Sequence, residues 1–90
     1  MTEKMRIEFV EACRWFAPST MREYWEMLRK KSFCCWVTVK RGGEVIFDDR
    51  VKKKEWLRKT LPDDVMDMTP KRINVDATLR SRNKLCFVIE

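Results

Sequence analysis

The stretch Phe33-Cys-Cys-Trp-Val-Thr-Val-Lys-Arg-Gly-Gly-Glu-Val-Ile-Phe47 constrains this chain more than any other. Two apolar runs flank Gly42-Gly43, and both glycines can take the positive φ that a two-residue hairpin turn demands. The pattern predicts an antiparallel hairpin with strands over 33–40 and 44–49 and with Lys40 and Arg41 at its tip. A two-residue turn pairs Arg41 with Glu44, Val39 with Ile46 and Thr38 with Phe47, combinations that are favourable across a ladder. Strict alternation then puts Phe33, Cys35, Val37, Val39 and Ile46 on one face, and Trp36, Val45 and Phe47 on the other.

The rest of the chain must complete a core around that hairpin. Ninety residues, 44% of them hydrophobic and 38% charged, are read as one small globular domain over 1–90. No apolar run reaches the length of a membrane span, and residues 1–20 lack a signal-peptide pattern, so a cytoplasmic location is expected. A net charge of +6 favours polyanions through counterion release. Four cysteines, Cys13, Cys34, Cys35 and Cys86, lack a histidine and lack Cys-x-x-Cys spacing. Cys34 and Cys35 fall on opposite faces of an extended segment, so reduced thiols in or near the core are expected, without metal.

Thr20-Met-Arg-Glu23 is a capping box, and a helix is expected from about Thr20 to Lys31. Its inner stripe is Met21, Tyr24, Trp25 and Leu28, while Arg29, Lys30 and Lys31 complement the negative end of its dipole. Upstream, residues 4–10 alternate as a strand would, yet Phe9, Ala12, Cys13 and Phe16 fall on a helical stripe. Pro18 ends any helix there and turns Ala17 out of the helical region. Asp48-Asp49 reads as the N-cap of a helix over about 50–60 with Val51, Trp56 and Leu57 inside. Residues 62–72 read as loop. A second hairpin is expected from Ile73, Val75, Ala77 and Leu79 to Leu85–Ile89, with Arg80, Arg82 and Lys84 about its turn.

These parts give an α+β chain: two helices, a central antiparallel hairpin and a C-terminal hairpin. One arrangement is winged-helix-like. Thr20-Met21-Arg22-Glu23-Tyr24 resembles the Thr-Leu-Arg-x-Tyr start of the recognition helix in mercury-resistance-regulator-type proteins. Lys40-Arg41-Gly42-Gly43-Glu44-Val45-Ile46 followed by Glu55-Trp56-Leu57 resembles the wing and following helix of small phage excisionases. That resemblance covers about residues 9–57. It implies that Thr20, Arg22, Glu23 and Glu26 face base edges, with Arg29 and Lys30 in the last turn, and that Lys40 and Arg41 hold phosphates. Lys53 and Lys54, with Arg50 and Arg58 along roughly one side, would extend the phosphate-facing stripe. Lys30-Lys31-Ser32 stands where such helices usually end in glycine.

The other arrangement is ferredoxin-like, β-α-β-β-α-β, with an open sheet face carrying Trp36 and Phe47. Such a face suits stacked bases or a protein partner. Enzyme activity lacks a histidine and a paired nucleophile, and no cofactor motif is present. The expected function is therefore a small non-catalytic DNA-binding regulator of the kind phages and mobile elements encode. The alternative is an inhibitor or adaptor that binds a host protein through Trp36, Val45 and Phe47. The oligomeric state is open.

Overall fold

The computed structural model describes residues 4–52, 55–56, 58–76 and 83–90. The elements in chain order are α1 (Lys4–Phe16), α2 (Met21–Lys30), β1 (Cys35–Arg41), β2 (Glu44–Val51), α3 (Asp63–Met66), β3 (Arg72–Asp76) and β4 (Lys84–Val88). The four strands form one sheet in the order β2-β1-β4-β3. β1–β2 and β3–β4 are antiparallel hairpin pairs, and β1 and β4 run parallel in the middle. The α+β class thus holds, with the expected helix α2 and both expected hairpins.

The Gly42-Gly43 turn forms as the sequence requires, with φ of +58° and +84°. Arg41 pairs with Glu44, and Lys40 with Val45, but the register then slips: Val39 faces Phe47 and Thr38 faces Asp48. Ile46 is the extra residue of a β-bulge, which strict alternation does not foresee. The bulge corrects the expected faces: Phe47, like Ile46, packs against the core, and its ring meets Trp25 edge-on at 5.4 Å. Trp36 and Val45 remain on the other face.

Residues 4–10 are helical, so the first strand of the ferredoxin-like order is a helix instead. The longer stripe wins: Met5, Phe9 and Ala12 are buried together, and the Phe9 ring lies 6.3 Å from Phe33 and 6.5 Å from Phe87. Ala17 takes φ +46° before Pro18, and its N–H caps the Cys13 carbonyl. The α2 capping box is present on both sides, Thr20 accepting from the Glu23 N–H and Glu23 from the Thr20 N–H. Met21, Trp25 and Leu28 are buried as expected, and Met27 joins them. The α2 end is a Schellman turn in which the Phe33 N–H reaches the Leu28 carbonyl and Ser32 takes φ +54°.

The helix expected over 50–60 is replaced. β2 continues through Val51, because Asp48, Asp49 and Arg50 keep pairing with Thr38, Val37 and Trp36 instead of capping a helix. Residues 55, 56 and 58 lie in turns, while Leu57, Lys53 and Lys54 fall outside the described residues. Trp56 still enters the core, 1% exposed, and donates its indole N–H to the Phe33 carbonyl at 2.7 Å. Its ring sits 5.1 Å from that of Trp25, whose own indole N–H reaches the Lys59 carbonyl at 2.8 Å. The acidic 62–72 segment contains the single turn α3.

Both helices cover one face of the sheet. Leu85, Phe87, Val37 and Val39, at the centre of that face, are fully buried. Among the described residues no helix is long and apolar enough to cross a membrane.

Substitutions at two positions probe these supports. Trp56→Ala should cost about 3–5 kcal/mol and Trp56→Phe about 1–2 kcal/mol, since the latter chiefly strands the Phe33 carbonyl. Ser32→Gly should raise stability by about 0.5–1 kcal/mol by relieving a left-handed residue. Urea denaturation midpoints at constant slope measure all three.

Candidate binding surface

Pairing register decides which side chains share the uncovered face of the sheet, because paired residues point to the same side. Trp36 lies between Arg50 and Lys84, Thr38 between Asp48 and Cys86, and Lys40 between Val45 and Val88. On β3, Arg72, Asn74 and Asp76 complete the rows beside Val88, Cys86 and Lys84. None of the helices among the described residues covers this side.

Trp36 is held in the row at one end of this face, on an inner strand. Its indole N–H donates to Asp48 Oδ1, which also accepts from the Thr38 hydroxyl at 3.0 Å. Those bonds, the one from Trp36 foremost, lower the Asp48 pKa from its ordinary value, and Lys84 adds to the effect. The ring is thereby oriented across the strands while 36% of the residue stays exposed. Val45, Cys86 and Val88 add apolar surface, and Lys40, Arg50, Arg72 and Lys84 supply cations around it. Val45 is 49% exposed.

Most of the residues expected to meet DNA from α2 and the hairpin tip are engaged in caps or ion pairs. Thr20 and Glu23 complete the capping box, and the backbone N–H groups of Thr20 and Ser19 hold the Glu23 carboxyl below its ordinary pKa. Glu26 pairs with Arg29. Arg22 lies 3.5 Å from Asp67 and 3.9 Å from Asp63. Arg41 folds back to Asp64 at 3.0 Å and Glu90 at 3.4 Å. The acidic pair of α3 therefore meets both the α2 arginine and the hairpin-tip arginine. Lys30 is exposed and Lys40 half-exposed. Lys53 and Lys54 lie outside the described residues. Arg58 is exposed, in the turn region after β2 rather than on a helix face shared with Arg50.

The alternative contact set divides as well: Trp36 and Val45 share the open face, whereas Phe47 is turned to the core. Asp49, on the side opposite Asp48, is bound by the Lys59 ammonium, whose hydrogen bond lowers its pKa. The thiols also separate. Cys34 is exposed, while burial pushes Cys35 up to about 12, with adjacent Cys34 adding to the shift.

The sequence makes Asp48 a helix cap and places Arg72 in a loop, so neither is expected at a binding surface. The alternation Arg72-Ile-Asn-Val-Asp76 already places Arg72 and Asn74 on one side, but which side is open depends on the neighbouring strand. The chain matches no protein-family model, no curated protein and no solved structure.

Because the Asp48 pKa is lowered by folding, its stabilising contribution is present at neutral pH and lost as pH falls through the lowered value. Below about pH 4, the Trp36 indole proton signal should shift as Asp48 is protonated. Asp48→Asn should abolish that transition; an unchanged titration in this variant counts against the assigned bond.

Proposed function

We propose that the protein is a small non-catalytic nucleic-acid-binding module that takes a single strand across the open face of its sheet. One observation carries this reading: Trp36, anchored by Asp48, is flanked by Arg50 and Lys84 on a sheet face that also carries Lys40 and Arg72 at its other end and that none of the described helices covers. An indole fixed at its N–H still offers its ring, and a base stacked on an aromatic side chain contributes about 1–3 kcal/mol. Cations on all four strands suit the phosphates of a strand crossing the sheet, and binding releases their counterions.

A single strand suits this geometry better than a duplex. Among the described residues the face is a broad sheet surface with no projecting helix or ribbon to enter a groove. Arg22, Glu26, Arg29 and Arg41, which groove binding would employ, are held in internal ion pairs. The chemistry is common to DNA and RNA, and a regulatory or strand-protecting role needs no catalytic group.

Fluorescence anisotropy with labelled oligo-dT, oligo-U and a mixed-sequence duplex tests the reading. Single strands should bind more tightly than the duplex. With four phosphate contacts, affinity should fall about 50-fold between about 50 and 200 mM salt. Trp36→Ala should weaken binding by about tenfold or more without changing the circular dichroism spectrum. Preference for the duplex would return the role to α2 and the hairpin tip. Absence of salt-sensitive binding to every oligonucleotide would leave Trp36 and Val45 as a protein contact.

A further inference from the structure

On the opposite side of the molecule, α1 carries apolar groups that its own fold leaves uncovered. With Met5, Phe9 and Ala12 turned inward, the helical repeat aligns Ile7, Glu11 and Trp15 in one outward row. Trp15 is 85% exposed and Ile7 54%, with Val10 beside them at 44%. Next to Trp15 lies an open groove of about 470 Å³, walled by Ala12, Phe16 and Phe33 and edged by Glu8, Glu11 and Lys31. Trp15 stands at the rim without filling it. Glu11 and Lys31 make no ion pair among the described residues, and Glu8 has only Lys4 at 3.9 Å.

The patch therefore carries both halves of a contact: an apolar knob beside an open groove with an aromatic wall and charged edges, and acid on one edge with base on the other. A two-fold interface requires this self-complementarity, since one patch must meet its own copy. We propose that two copies of the chain pair through this face, each Trp15 seating in its partner's groove and each Glu11 meeting Lys31 of the partner subunit. Tryptophan at the centre of a desolvated contact is a frequent source of binding energy. Because α1 covers the other side of the sheet, such a pair leaves both Trp36 faces uncovered. The pairing does not depend on what those faces bind.

Sedimentation velocity on the full chain, from about 5 to about 500 µM, should show a concentration-dependent monomer–dimer equilibrium. Trp15→Ala should weaken it about thirtyfold or more with an unchanged circular dichroism spectrum. Glu11→Lys and Lys31→Glu should each sediment as monomers, and an equimolar mixture of the two should restore a dimer. The proposal is overturned by a wild-type monomer across the whole range, or by a dimer that survives Trp15→Ala. It is likewise overturned if the mixed charge-reversal variants fail to pair.

Discussion

The parallel pairing of β1 with β4 is the contact on which the rest of this structure depends. It sets Val37 beside Leu85 and Val39 beside Phe87, and all four are fully buried. Without it the chain has two separate hairpins, and an isolated two-stranded ribbon is marginal in water. With it, a four-stranded sheet offers a continuous apolar face for Met5, Phe9, Met21, Trp25 and Leu28 from the helices. The same pairing aligns Trp36 with Lys84 and so builds the open face. Core and candidate surface are the two sides of one register.

Charge distribution follows from the fold as much as from composition. A surplus of six positive charges says nothing about where they act. The short helix α3 brings Asp63 and Asp64 to Arg22 and Arg41, and Glu26 takes Arg29. These exposed pairs contribute modestly to stability. Their larger consequence is to engage the cations of α2 and the hairpin tip, while Arg50, Arg72 and Lys84 stand on the open sheet face. The proposed nucleic-acid contact therefore falls on the sheet.

Legibility in the sequence tracked how local each determinant was. The capping box of Thr20 and Glu23, the paired glycines at 42–43 and the Ala17-Pro18 break act within a few residues, and each formed as expected. The bulge at Ile46 did not announce itself, because both Ile46 and Phe47 are apolar and either could face the core. A slip of one residue reversed Phe47 and carried β2 on to Val51, displacing the expected helix over 50–60. For residues 4–10, period two and period 3.6 competed on nearly equal terms. The helix prevailed because Phe9 and Ala12 find a shared core, leaving Ile7 and Val10 at the surface.

The sequence by itself determined the α+β class, both hairpins, the α2 helix and the excess of positive charge, since short-range sterics, capping and periodicity encode all of these. Only the tertiary structure decided that β1 and β4 join the hairpins side by side, that Phe47 is inside and Trp36 outside, and that Arg22 and Arg41 are held by α3. Those outcomes rest on contacts between residues far apart in the chain. Many pairings of similar local quality compete for them, and they are settled by which one buries the most apolar surface while satisfying its polar groups.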